Sequence, residues 1–161
     1  MGKLAYERLK GNLEKLKLDR ISEVLDSHNR LAQERELSYT DYLDGIIQEE
    51  ACFRADRSTR TRIKFARFPF IKTIEQFDFS FQPSLEKRKV EEMFTLRFID
   101  NRENVLFLGP PGVGKTHLAI ALGVNACYQG YRVLFGTVAD IVSKLRASLS
   151  DNSVEQGFLC I

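Results

Sequence analysis

Eight residues constrain this chain more than any others: Gly109-Pro110-Pro111-Gly112-Val113-Gly114-Lys115-Thr116. They match G-x-x-x-x-G-K-[ST] at every fixed position. The apolar run Val105-Leu106-Phe107-Leu108 leads into them, and a stretch rich in Ala119, Ile120, Ala121, Leu122, Val124 and Ala126 follows. Glycine tolerates backbone conformations that let successive N–H groups curl inward around phosphate oxygens. A helix starting near Lys115 adds the positive end of its dipole. Lys115 can reach the β- and γ-phosphates of a nucleotide, and the Thr116 hydroxyl can ligate Mg²⁺. Pro110 and Pro111 stiffen the outer part of the loop. His117 comes next, and two readings stand for it: it flanks the nucleotide, or it packs on its helix. The candidate nucleotide-binding set is therefore Gly109, Pro110, Pro111, Gly112, Val113, Gly114, Lys115, Thr116 and His117, with Thr116 as the metal ligand.

A phosphate loop needs a strand before it and a helix after it, and the surrounding sequence supplies both. Val105–Leu108 reads as a buried parallel strand. A helix is predicted from Lys115 to Gln129 with Gly130 as its C-cap. Arg132-Val133-Leu134-Phe135 reads as a second strand and Ala139–Leu149 as a second helix. The fold class is α/β: a helical N-terminal region followed by the first βαβα part of an incomplete P-loop sheet. From Leu4 to about Arg67 the pattern is helical, with no proline before Pro69. Leu9, Leu13 and Leu16 mark one helix. Ile21, Val24, Leu25 and Leu31 mark a second, with Asp19 as its N-cap. Ser38 and Asp41 form an approximate capping signal for a third, which carries Tyr42, Leu43, Ile46, Ile47 and Phe53. Phe65, Phe68, Phe70, Phe77, Phe79 and Phe81 then crowd a stretch that closes at Pro83. They read as a connector packing on the next domain, with base stacking as the alternative. Ser84 can cap a helix from Leu85 to about Ile99. The predicted domains are residues 1–68, 69–101 and 102–161.

Charge informs only locally. Twenty-four Lys and Arg against 22 Asp and Glu leave a net +2, which argues neither for nor against nucleic acid. Arg54, Arg57, Arg60, Arg62, Lys64, Arg67 and Lys72, however, gather around Asp56 alone. Such a run is either a solvated helix face or a phosphate-contacting one, and Arg57, Arg60 and Lys64 share a side. No run approaches the ~20 apolar residues of a membrane helix, and the start has no apolar signal-peptide core. Cys52, Cys127 and Cys160 are scattered and suit a reducing cytoplasm. No His/Cys/Asp/Glu group has metal-ligand spacing, and no nucleophile motif appears.

Val105 to Gly123, Gly130 to Phe135, Phe77-Asp78-Phe79-Ser80 and Gln82-Pro83-Ser84-Leu85 together resemble the IstB-like ATP-binding proteins of insertion sequences, transposition helper ATPases related to the helicase loader DnaC. The likeness runs from about Leu13 to about Leu149. It implies an AAA+ core behind a small helical domain, with ATP and Mg²⁺ as ligands. It implies double-stranded DNA and the transposase of the same element as partners, homo-oligomers in the full-length family, and a cytoplasmic location. Gly109 to Thr116 carry over as the nucleotide loop, and Phe98 to Asn101 as the adenine position. Arg54, Arg57, Arg60, Arg62, Lys64 and Arg67 become candidate DNA contacts. The departure lies beyond His117. A strand ending in Asp-Glu, the Walker B element, should follow the second helix, but Asn152 to Ile161 has no such pair. Sensor residues, arginine finger and lid are likewise absent from the sequence. The reading is a shortened, hydrolysis-deficient chain, from an interrupted frame or a fragment. A DnaC-like loader and a non-enzymatic DNA-binding fragment stand as alternatives. A small-molecule P-loop kinase is disfavoured by the long basic lead-in.

Overall fold

The computed structural model describes residues 2–81, 83, 85–140, 142, 143, 146, 159 and 160. The chain divides into two compact units, Met1–Ser58 and Thr59–Ile161. The division falls inside a helix, ahead of the boundary predicted at residue 68.

The first unit contains α1 (Gly2–Lys15), α2 (Asp19–Glu34) and the opening turns of α3 (Tyr39–Ala66). Its core is Leu13, Ile21, Val24, Leu25 and Ile46, with Tyr6, Leu18 and Tyr42 packed around it. These are the apolar positions that helical periodicity picks out. Lys17 takes a left-handed φ of 54°, and Leu18 donates to Leu13 O at 2.9 Å, closing α1. Asp19 is the first residue of α2, and the cap position falls on Leu18, which has no capping side chain. A residue distant in sequence takes over: the Glu50 carboxylate, from α3, accepts the Ile21 N–H at 3.2 Å. Ser38 behaves as its spacing predicts. Its Oγ accepts the Asp41 N–H at 3.1 Å and donates to Asp41 Oδ2 at 2.7 Å.

The second unit is built on α6 (Lys115–Tyr128), a helix apolar nearly all round and buried accordingly. Leu122, Ala126 and Cys127 of α6 pack with Ala66, Leu96 and Val133. Gly130, at φ +99°, ends the helix with Tyr131 donating to Ala126 O at 2.9 Å. The strand β1 (Val133–Leu134) follows, and Phe135 N–H donates to Ala66 O at 2.8 Å.

Three expectations change. The helix predicted over Leu85–Ile99 is two helices, α4 (Lys87–Met93) and α5 (Arg97–Asp100), and its cap Ser84 lies outside the described residues. The break is Leu96, left-handed at φ 61° and buried in the core. A left-handed residue costs about 1–2 kcal/mol, and full burial of a leucine offsets that. The second change concerns Val105–Leu108, which forms no strand: residues 103–108 carry no regular hydrogen-bonded structure. Val105 and Phe107 are half-buried, while Leu106 and Leu108 are 80% and 89% exposed. An apolar run becomes a strand only where a neighbour completes its hydrogen bonds, and none lies beside it among the described residues. The parallel pair is instead β1 with β2 (Leu159–Cys160), in register Val133 to Leu159 and Leu134 to Cys160. Among the described residues the βαβα opening of a sheet is not seen, and the second unit is mostly helical with one short parallel pair. Of the helix predicted over Ala139–Leu149, residues 139, 140, 142, 143 and 146 are helical and the rest lie outside the described residues. Thr137 Oγ1 accepts the Asp140 N–H at its start, at 3.2 Å.

Candidate phosphate-binding site

The loop from Gly109 to Thr116 leaves its glycines where only glycine is unstrained. Gly112 and Gly114 have φ of +83° and +88°, and Gly109 lies at +155°. Gly114 is the left-handed cap of α6, and its carbonyl accepts the first helical bond, from Leu118 N at 3.0 Å. The first turn of α6 holds no acidic residue, so no side chain of that turn neutralises the positive end of the helix.

Lys115 closes the loop on itself. Its Nζ donates to Gly109 O at 2.9 Å and to Pro110 O at 2.6 Å. The ammonium therefore sits across the loop, held by carbonyls that a phosphate can displace. Thr116 is exposed beside it. The helix N-terminus, the Lys115 ammonium and the Thr116 hydroxyl form a donor set suited to a polyphosphate, with the hydroxyl suited to a hard cation.

His117 does something different. Its Nε2 lies 3.0 Å from Thr73 O; a carbonyl only accepts, so Nε2 carries the hydrogen there. Its ring stands edge-on to Phe77 at 5.3 Å. The packing reading of His117 describes these contacts. They fasten the aromatic connector to α6. Thr73 opens a 3-10 turn at Ile74–Gln76 with a reciprocal capping box to Gln76. Phe77 lies against the loop itself: a Cβ placed on Gly114 would stand 2.6 Å from its Cε2. Sequence reading did not single out Thr73 or Phe77 as site residues, although the Thr73-x-x-Gln76 spacing was a usable signal. Phe98 and Ile99, at the expected adenine position, pack on the core around α6.

The basic run separates into two kinds of residue. Arg54 is engaged in the fold: Nε donates to Glu50 Oε1 at 2.7 Å and Nη2 to Lys17 O at 2.8 Å. Burial alone would raise the Glu50 carboxyl, but Arg54 and the Ile21 amide hold it below its ordinary value. Arg62 donates through Nη1 to Cys127 O at 3.2 Å and Thr59 Oγ1 at 3.3 Å. Arg67 ends α3 in a left-handed conformation at φ 62°. Arg57, Arg60 and Lys64 are exposed along α3, while Lys72 is half-buried beyond it. Among the described residues no three His, Cys, Asp or Glu side chains could share a metal ion. None of the described helices is long and apolar enough to cross a membrane.

Comparison with known proteins places this arrangement. A family model described as IstB-like ATP binding protein matches residues 11–158. A protein named for ATP binding in the insertion sequence IS21 of Pseudomonas aeruginosa is 43% identical over 89% of this chain and 54% of its own length. A counterpart from IS5376 of Geobacillus stearothermophilus is 39% identical over 93% of this chain and 60% of its own. One from IS232 of Bacillus thuringiensis is 34% identical over 95% and 61%. The chain thus spans a little over half the length of these relatives. Because the match runs through the helical lead-in, the aromatic connector and the loop alike, this chain belongs to the IstB-like ATP-binding protein family.

Proposed function

We propose that this chain is an ATP-binding helper of insertion-sequence transposition, acting in the cytoplasm on double-stranded DNA with the transposase of the same element. The observation that carries the nucleotide part is Lys115 Nζ bridging Gly109 O and Pro110 O across a glycine-hinged loop at the N-terminus of α6. On binding, Lys115 would exchange those carbonyls for phosphate oxygens, the loop amides would take the remaining ones, and Thr116 would hold Mg²⁺. Mg²⁺, which Thr116 would help hold, would supply neutralisation of the phosphate charge. Calorimetric titration with ATP and Mg²⁺ tests this. Lys115→Ala should weaken binding by about 1.5–3 kcal/mol, the worth of a charge-assisted bond. Equal affinity in the two proteins would remove the loop from the assignment.

The DNA part rests on α3. Arg60 and Lys64 project from its exposed side one turn apart, a placement that suits phosphate contacts carrying little sequence information. The relatives' names supply the insertion-sequence context, from which the transposase partner and the homo-oligomer are inferred. The residues from His117 to Ile161 contain no Asp-Glu pair. The chain alone is accordingly proposed to bind ATP without turning it over efficiently.

A further inference from the structure

Two stretches of chain distant in sequence meet at the first turn of α6. A Cβ on Gly114 would lie 2.6 Å from Phe77 Cε2 and 3.2 Å from its Cζ, so the ring rests directly on that glycine. His117 presents its ring edge-on to Phe77 at 5.3 Å and its Nε2 to Thr73 O at 3.0 Å. Phe79 also packs on Phe77, with ring centroids 5.0 Å apart and planes at 73°. The Thr73 N–H donates to Gln76 Oε1 at 3.3 Å, which stiffens the turn leading into Phe77. Phe77 therefore reaches the loop already fixed by its neighbours.

Gly114 is where the loop becomes a helix. Its φ of +88° provides the left-handed step that gathers successive N–H groups on one side. A glycine has no side chain to confine it, so the same residue that permits this conformation also permits many others. A ring seated on its Cα excludes those that would swing the backbone into it. Donors held in place before the ligand arrives bind it more tightly, because no ordering cost remains.

We propose that Phe77, braced by His117 and Thr73, is a positioning residue for the phosphate loop: it keeps Gly114 in the conformation that aims the loop amides at phosphate, without touching the nucleotide. This rests on the nucleotide reading above and deepens it. It also gives Gly114 a second requirement, since the position must both adopt positive φ and leave room for the ring.

The test uses the full chain and its Phe77→Leu, Phe77→Ala and His117→Ala variants, with two readouts. The first is relaxation dispersion of backbone amides in nucleotide-free protein, which reports microsecond-to-millisecond motion. Phe77→Ala should raise the exchange contribution at Gly112 to Thr116 and leave Ile120 to Val124 unchanged. A general loss of packing would raise both. The second is calorimetry with ATP, ADP and inorganic tripolyphosphate. Phe77→Ala should weaken all three by a similar factor, about ten-fold, with Phe77→Leu recovering most of the loss. Should Phe77→Ala unfold, Phe77→Leu and His117→Ala decide the matter by a smaller rise in loop motion or none. Unchanged loop motion overturns the proposal. So does a loss confined to ATP and ADP, because it would place the ring against the base. If the wild-type protein binds none of the three ligands, the nucleotide reading fails, while the relaxation data still decide whether Phe77 holds the loop.

Discussion

Arg62 Nη1 lies 3.2 Å from the carbonyl oxygen of Cys127, joining the basic stretch of α3 to the C-terminal end of the phosphate-loop helix. That end of α6 carries the negative pole of the helix dipole, and its last carbonyls have no partner within the helix. Arg62 supplies both a donor and a positive charge. Its role in the fold differs from that of the exposed Arg60 and Lys64 on the same helix.

Arg62→Ala should therefore act on stability. A charge-assisted bond is worth about 1.5–3 kcal/mol, and each 1 kcal/mol lost lowers Tm by roughly 2–4 °C in a chain of this size. The salt dependence of DNA binding should stay as in the wild type. Thermal melts and fluorescence anisotropy across a salt series check both statements. An unchanged Tm with a flattened salt slope would make Arg62 a DNA contact instead.

Arg60 and Lys64 should behave in the opposite way. Every phosphate left without its cation takes about 0.9 from the slope of log K against log[salt]. The double change Arg60→Glu, Lys64→Glu should flatten that slope by about 1.8 if both residues touch phosphate, and keep the folding free energy within about 0.5 kcal/mol of wild type. The slope is the deciding quantity. Its persistence in the double mutant would reduce this side of α3 to a solvated face.

The Glu50 carboxyl gives the first unit a predictable acid sensitivity. Burial opposes its charge, but Arg54 and the Ile21 amide prevail, so its folded value lies below that of an unfolded glutamate, about 4.3. The stabilisation is fully present above the unfolded value and is lost as pH falls through the lowered folded one. Between neutral pH and pH 3, wild type should lose more stability than Glu50→Gln, in which no charge titrates. Urea midpoints at the two pH values measure this. Arg54→Ala, which leaves the buried carboxylate without its guanidinium, should cost about 1–3 kcal/mol at neutral pH.

What was legible in the sequence was local. The loop could be read because glycines, a lysine and a threonine at fixed spacing act within eight residues of one another. The start of α3 could be read from Ser38 and Asp41, and the end of α6 from Gly130. The rest depended on interactions between distant positions. Helical periodicity puts Arg54 and Arg62 on α3 but cannot show that one reaches Lys17 O and the other Cys127 O. Leu96 is left-handed because the core takes its side chain, and no turn residue announces it. Val105–Leu108 has the composition of a strand, yet its pairing is a property of a neighbour rather than of those four residues.

Turnover demands more of the chain than binding does. Phosphoryl transfer demands little covalent chemistry of a protein and much positioning: a carboxylate to help hold the metal, a group to orient water, and a cation for the charge of the transition state. In the proposed reading the loop supplies the binding portion through Lys115 and Thr116. Other groups in the same unit are already engaged. His117 is bonded to Thr73 O, Arg62 to Cys127 O, and Asp140 to Thr137. Loss of the transition-state arginine alone costs about 10³–10⁵-fold in related chemistry. The purified chain should therefore bind ATP in a Lys115-dependent way and release phosphate no faster than Lys115→Ala does. Phosphate release that depends on Lys115 and rises with protein concentration would mean that a neighbouring copy supplies the remaining groups, and the isolated chain would then count as an ATPase subunit rather than a binding module.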